Sequence, residues 1–287
     1  MANTILTPEV IAREALMVLR NNAVMAKLVH RDYSDEFVGA VGDTITVRKP
    51  AKFVANEFTG NIQVQDATET GVSVTMDKHL DVSFAVTSKQ MTLDIADFSK
   101  QLLVPAMQAF ADKVDKELIA AGFSQGGQFN IAEACTTADV LTYRKKLSDN
   151  AAPLADRRFV CNTATEADLL GNELFVSAEK VGDNGTALRE ASIGRKFGFD
   201  IYADQNFDSD QAGLAFHKNG IALVTRPLAL PQGAAKAAIV NYDGFGLRVV
   251  YGYDINKKQD TISIDMLCGV KVLDENLVVC IGDERGL

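Results

Sequence analysis

The fold is decided by residues 94–122, DIADFSKQLLVPAMQAFADKVDKELIAAG. Apolar side chains recur every three to four residues along this stretch, which predicts one long amphipathic helix. Its inward face is formed by Ile95, Phe98, Leu102, Phe110, Val114 and Leu118. A helix of this length spans roughly 40 Å, which is long for a globular domain. Pro105 predicts either a kink near residues 101–104 or two helices that abut there.

The opposite face of this helix carries charges in a regular arrangement. Asp112 and Lys116 form one acid–base pair four residues apart, and Lys113 and Glu117 form another. Such pairs indicate a solvated helix face. In a large assembly the same face could meet a neighbouring subunit.

The chain before the helix alternates apolar and polar residues with period two. Residues 44–48, 72–76 and 80–86 have this pattern, which predicts half-buried strands. Residues 50–71 between them have short alternating pieces but too little apolar surface to build a core. A long hairpin arm that leaves its own domain fits this tract better than a structureless loop, because long empty loops are uncommon in compact domains.

The N-terminal segment predicts another helix. Thr7 suits the N-cap and Pro8 the first helical position, and a stripe follows at Ile11, Ala15 and Val18 or Leu19. Residues 23–29 form a weaker second piece.

The second half of the chain predicts a helix, several strands and one loop. We expect a short helix at 139–148, a boundary at 149–153, a capping box from Thr165 to Asp168, and a mobile loop at 177–198. Strands are predicted at RRFVCN (157–162), FDIYAD (199–204), LAFHK (214–218) and in the alternating tracts around 249–253, 262–272 and 277–281.

Composition limits the possible functions. The 287 residues are 47% hydrophobic and 23% charged, which suits a globular chain of roughly two domains. A formal net charge of −9 argues against a phosphate-neutralising nucleic-acid surface. No stretch reaches a membrane span, and Glu9, Arg13 and Glu14 argue against a secretory signal.

The sequence contains no recognisable catalytic, cofactor-binding or metal-binding motif. Three scattered histidines and four cysteines without a CxxC pair do not give zinc spacing, and the cysteines are expected to be reduced packing residues. Residues 204–210 resemble the start of a calcium loop, but Ser209 stands where glycine is required and Ala215 where glutamate is required. A polar loop is the simpler interpretation. Residues 194–198, GRKFG, suit a phosphate contact less well than a tight turn.

The order of these parts resembles the major capsid proteins of tailed bacteriophages, with the HK97-like fold. The resemblance is nearest to the P22 coat protein branch, without its inserted domain. It is carried by TPEVIAREALMVLRNN (7–22), GDTITVRKP (42–50), SFAVTSKQMTLDI (83–95), the helical stretch 94–122, GRKFGFDIYADQNF (194–207), LAFHKNGIALVTRPL (214–228) and residues 247–280. The resemblance rests on the order of these segments and on their patterns of apolar and polar residues, since the family has no catalytic signature.

The resemblance implies an α+β chain. Its expected parts are an N-terminal arm (1–40), an extended β-hairpin E-loop (41–80), a peripheral β-sheet domain with the spine helix (81–150, helix at about 94–122), an axial α/β domain (151–235) and closing strands of both domains (236–287). It implies no enzyme activity and no cofactor, and no residue matches the covalent cross-link of one branch.

The implied partners are further copies of the chain, in hexamers and pentamers of an icosahedral shell. Portal and scaffolding proteins are expected, with double-stranded DNA enclosed rather than bound specifically. The implied location is the virion capsid, assembled in the bacterial cytoplasm. The candidate interface residues are Arg48, Lys49, Lys52, Phe53, Glu57, Phe58, Asp112, Lys113, Lys116, Arg195 and Lys196. Two alternatives stay open: an encapsulin-like compartment, and an enzyme or ligand-binding protein with a pocket in 155–235.

Overall fold

A computed structural model describes most of the chain. The described residues are 8–31, 44–49, 53, 55–57, 60, 64, 66, 70–87, 99–124, 129–176, 193–233, 236–242 and 245–285. The helices are α1 (Pro8–Asn22), α2 (Val104–Phe123), α3 (Thr137–Asp149), α4 (Thr163–Gly171) and α5 (Glu173–Val176). The strands are β1 (Thr44–Lys49), β2 (Thr70–Thr75), β3 (Lys78–Thr87), β4 (Phe129–Ile131), β5 (Arg157–Cys161), β6 (Gly194–Lys196), β7 (Phe199–Ala203), β8 (Gln211–His217), β9 (Ile221–Arg226), β10 (Lys236–Tyr242), β11 (Phe245–Asp254), β12 (Gln259–Val272) and β13 (Val278–Asp283).

The N-terminal helix lies where the sequence predicts it. Ile11, Ala15 and Leu19 are fully buried, and Val18 is half-buried against the same core. The weaker second piece is a single 3-10 turn, Met25–Lys27. The predicted cap, Thr7, lies outside the described residues.

The long helix is divided at the predicted place. A π-helical turn, Ser99–Leu103, leads directly into α2, and Pro105 sits in the first turn of α2, where its missing N–H costs nothing. Phe110, Val114 and Leu118 are buried as predicted, and Leu102 is half-buried. Ile95 and Phe98 lie outside the described residues.

One sheet has five strands in the order β10-β11-β12-β3, and β9 pairs with the far end of β12. All of these pairings are antiparallel. Alternate residues point to one face, where Val249 and Ile264 join a core shared with α1 and α2. The central strand, β12, is long enough to pair with three other strands.

The second sheet has six strands in the order β4-β13-β8-β5-β7-β6. Because strand side chains alternate, one face of this sheet packs on the α2 side through Val160 and Leu214. The other face, with Phe159, packs on α3 and α4 through Tyr143 and Leu169. The single helix α2 therefore contributes to a core that both sheets share.

Two local predictions are wrong. Thr165 does not cap α4: the cap lies three residues earlier, at Asn162 directly after β5, which accepts a hydrogen bond from the amide of Thr165 at 2.8 Å. Residues 194–196 are a strand instead of part of a loop, since β6 pairs with β7. The turn between them uses positive φ at Phe197 (50°) and Gly198 (85°), as a two-residue hairpin requires. Residues 177–192 lie outside the described residues.

The prediction of reduced cysteines is confirmed. Cys135, Cys161, Cys268 and Cys280 are all buried and free. The helices over the described ranges include none that is both long and apolar enough to cross a membrane.

Candidate assembly surfaces

The predicted hairpin arm (residues 50–69, hereafter "the arm") is joined at its root to a two-stranded antiparallel ribbon. β1 pairs only with β2 among the described strands, in a register that runs from Thr44 opposite Thr75 to Lys49 opposite Thr70. This register brings the two ends of residues 50–69 together at one point. Most of the tract itself lies outside the described residues.

A small hydrophobic cluster holds this ribbon to the body. Val47, Val74 and Met76 are buried with Ala222 and Val224 of β9, separately from the main core. At about 1.5–3 kcal/mol for each fully buried aliphatic side chain, such a cluster suffices to fix the root but not a long extension.

Gly269 of β12 lies where the ribbon crosses the five-stranded sheet. A Cβ at this position would collide with the backbone of Thr75 and Met76. Only glycine permits so close an approach, so the direction in which the arm leaves is set by backbone contact.

The predicted interface residues of the arm are partly described. Phe53 is 64% exposed, and Glu57 is also exposed. Arg48 and Lys49 belong to β1, and only their backbone is described. Lys52 and Phe58 lie outside the described residues.

The outer face of α2 presents Asp112, Lys113 and Lys116, all exposed. Lys113 Nζ lies 2.8 Å from Glu117 Oε1, and Lys78 of β3 binds the other oxygen of the same carboxylate. Burial acts to raise the pKa of Glu117, but the hydrogen bonds from the two lysines outweigh it and lower the pKa overall. This ionic cluster ties β3 to α2.

The two remaining interface candidates, Arg195 and Lys196, are neighbours on β6 of the β6–β7 hairpin but differ in exposure. Arg195 is exposed, and its Nε lies 3.7 Å from Asp200 Oδ1 on the neighbouring strand. Lys196 is only 8% exposed, so its side chain belongs to the interior of its own chain. Arg144 Nη1 donates to the carbonyl of Phe197 at 2.9 Å, which fixes the turn to α3.

The β11–β12 hairpin tip is an exposed apolar site that sequence reasoning missed. Ile255 is 74% exposed, and Tyr253, at the end of the alternating tract 249–253, is also exposed. An isoleucine inside a polar turn, DINKK, is the signal that could have revealed this surface.

The described part of the chain contains no assembled reaction centre. Its His, Cys, Asp and Glu residues include no group of three that could hold a metal ion. The histidines lie apart: His30 forms a β-bridge with Ala222, His79 Nε2 lies 3.3 Å from Asp265 Oδ2, and His217 Nδ1 accepts from the amide of Asn219.

The cysteine thiols are not activated. Burial raises the pKa of Cys135 to about 12, that of Cys268 to about 12 and that of Cys280 to about 11. At neutral pH a thiol with such a pKa is almost entirely protonated, and the thiolate is the nucleophile.

A shallow groove of about 150 Å³ lies between α2 and the loop after β7. Lys113, Lys116, Asn206 and Asp208 are among its lining residues. Its mixed charges and small volume do not resemble a substrate pocket, which is typically at least about 300 Å³.

Comparison with known proteins gives a fold. No family model matches the sequence, and no curated protein matches it either. Solved structures do match. One from Mycobacterium phage Che8 has a TM-score of 0.68 at 18% identity and covers 92% of each chain. The capsid structure of cyanophage P-SCSP1u has a TM-score of 0.61 at 14% identity and covers 86% of this chain and 85% of its own.

A third match is a virus-like particle from Pyrococcus furiosus, with a TM-score of 0.54 at 12% identity; it covers 95% of this chain and 98% of its own. The matches span almost the whole chain while sequence identity is low, so what is shared is the path of the chain through helices and sheets. The chain has the α+β fold of phage major capsid proteins, the HK97-like fold.

Proposed function

We propose that this chain is a major capsid protein whose copies form hexamers and pentamers of an icosahedral shell around double-stranded phage DNA. The observation that carries the proposal is the likeness to the cyanophage capsid structure over 86% of the chain. The exposed arm root, held to the body by one small cluster, supports it. The shell protein has no catalytic role in this proposal.

Within this function we assign β1, β2 and the tract between them to the E-loop, and α2 with the π turn before it to the spine helix. The five-stranded sheet is assigned to the peripheral domain and the six-stranded sheet to the axial domain. This assignment changes the domain bounds expected from the sequence. β9, inside the expected axial range 151–235, now belongs to the peripheral sheet, whereas β4, α3 and β13, outside that range, join the axial domain. Residues 1–40 remain the proposed N-terminal arm.

The energetics of a shell fit these features. Each contact between subunits can be weak when every subunit makes many of them, because the contacts act at high effective concentration. The exposed candidates Phe53, Glu57, Asp112, Lys113, Lys116 and Arg195 are proposed to lie at such contacts. The net charge of −9 suits a container that encloses DNA without binding it tightly. Portal and scaffolding proteins are proposed partners, with assembly in the host cytoplasm and a final place in the virion.

Expression of the chain followed by light scattering and cryo-electron microscopy tests the proposal. We expect rings or closed particles whose subunits have the fold described above. A chain that stays monomeric or dimeric at high concentration, also with its scaffolding protein present, would contradict the proposal.

A second candidate is an encapsulin-like compartment that holds protein cargo, favoured by the likeness to the virus-like particle over 95% of the chain. The contents of purified native particles distinguish the two. DNA and tail components indicate a phage capsid, whereas a dedicated enzyme cargo without DNA indicates a compartment.

A further inference from the structure

Asp115 is a buried carboxyl group that joins the N-terminal segment to α2. Its side chain is only 1% exposed. Oδ2 accepts a hydrogen bond from the amide of Val24 at 2.7 Å, and Oδ1 accepts one from the amide of Ala26 at 3.1 Å. The 3-10 turn that follows α1 is therefore held by a side chain 89 residues or more away in sequence.

A second buried carboxyl group, Asp204, lies directly after β7, and its negative charge acts on Asp115. It is 3% exposed, and its Oδ1 accepts from the amide of Asn206 at 2.9 Å. Its Oδ2 is buried and has no hydrogen-bond partner among the described residues. A buried carboxylate oxygen without a donor is costly when charged, and much less so when it carries a proton.

The surroundings supply no buried cation to pair with these groups in the described residues. Asp112, one turn before Asp115 on α2, adds a further negative charge beside Asp204. Lys27 on the 3-10 turn is exposed. Arg158 of β5 donates to the carbonyl of Leu28.

The acid equilibria agree with this geometry. Burial raises the pKa of Asp115 to about 7, and the charge of Asp204 adds to the rise, against the opposing effect of the amide hydrogen bonds. Burial also raises the pKa of Asp204, with Asp112 contributing.

We infer that Asp115 and Asp204 form a proton-linked junction, in which a proton held by these buried acids keeps the N-terminal segment docked against α2. The inference concerns one chain and stands whether or not the chain builds a shell. It assigns these acids a regulatory role: loss of the proton as the pH rises weakens the docking of residues 8–31.

The sign follows from linkage. An Asp exposed by undocking has an ordinary pKa near 3.8, so between that pH and about 7 the docked state holds more protons than the undocked one. The stabilising effect is complete below about pH 4 and is lost as the pH rises to about 7. A buried Asp paired with a cation would give the opposite dependence.

Hydrogen–deuterium exchange of the full chain tests the junction, followed by mass spectrometry on peptides that cover residues 19–30. After correction for the intrinsic pH dependence of exchange, we expect the opening constant to rise about 20-fold between pH 5.5 and 7.5. Asp115→Asn should abolish this dependence, whereas the matched control Asp149→Asn, an exposed site on α3, should keep it.

A second variant covers the case in which Asp115→Asn does not fold. Asp204→Asn leaves the amide bonds of Asp115 in place and removes the neighbouring charge, so the rise in opening should move to lower pH. An opening constant independent of pH in the wild type, or one that rises on acidification, would overturn the junction. So would an unchanged profile in Asp204→Asn, or saturable protection of this segment by Ca²⁺ at pH 7.5, which would make the buried oxygen a cation ligand.

Discussion

The helix α2 and the root of the arm differ in how much of their apolar surface one chain covers. In α2, Phe110, Val114 and Leu118 are buried in the core that both sheets share. At the root, Val47 and Val74 are buried against β9, but Phe53, a few residues further along the chain, is exposed. One chain thus covers the apolar face of α2, whereas Phe53 stays exposed, and we propose that neighbouring copies cover it.

The largest expected effect is on the arm. Replacing residues 50–69 by a short Gly/Ser turn between Lys49 and Thr70 should abolish closed particles and leave a folded, soluble subunit, because the residues of this tract that the structure describes are all exposed. Electron microscopy and circular dichroism measure the two outcomes.

A control variant in which residues 50–69 are scrambled at the same length shows whether assembly depends on the sequence of the arm or only on its length. Normal shells from the deletion would show that the arm is dispensable. An unfolded subunit would show that the arm is part of the body core, which contradicts the comparison.

Truncation of the α2 core comes next in size. Phe110→Ala should lower the free energy of unfolding by about 3–5 kcal/mol, because a fully buried ring leaves a cavity. Leu102→Ala should cost less, since that side chain is only half-buried. Denaturant titration measures both, and Gln108→Ala on the exposed side of the same helix should change stability by about 0.5 kcal/mol at most.

Gly269→Ala tests whether backbone contact sets the arm direction. Its Cβ would collide with Thr75, so we expect a loss of about 1–3 kcal/mol and fewer or irregular particles. Gly252→Ala, in the open at the end of β11, is the matched control and should have little effect. Equal stability and equal assembly for both variants would mean that the ribbon does not cross β12 as described.

The smallest effect is expected at the surface ion pair. Lys113→Ala removes one partner of Glu117, but Lys78 remains, and exposed pairs contribute about 0–1 kcal/mol. The change in unfolding free energy should therefore stay below about 1 kcal/mol and shrink further at high salt. A larger loss of assembly than of stability would mark this helix face as a subunit contact.

Elements with a strong period could be predicted from the sequence. The inward face of α2, the half-buried strands β2 and β3 and the break before Pro105 follow from side-chain spacing and from the missing N–H of proline. The resemblance to capsid proteins came from the order of these elements, and the fold agrees with it.

Features that depend on distant partners could not be predicted in this way. β4 has only three residues and exists because it lies beside β13. Asn162 takes the capping role because β5 ends there. Tyr253 is exposed near the tip of the β11–β12 hairpin, beyond the buried part of β11. The burial of Lys196 likewise depends on where the hairpin folds back. The sequence predicted that residues 50–69 form a hairpin arm. The contacts of this arm with other copies of the chain remain a proposal.

The position of β12 in the chain has a consequence for biosynthesis. β3 gains its sheet partner only when β12 has been made, and His79 contacts Asp265 across 186 residues. A chain that ends before β12 lacks the central strand of the five-stranded sheet. β3 is then left as an unpaired edge strand, and such edges favour aggregation. Productive folding of the five-stranded sheet must therefore wait until synthesis of the chain is nearly finished.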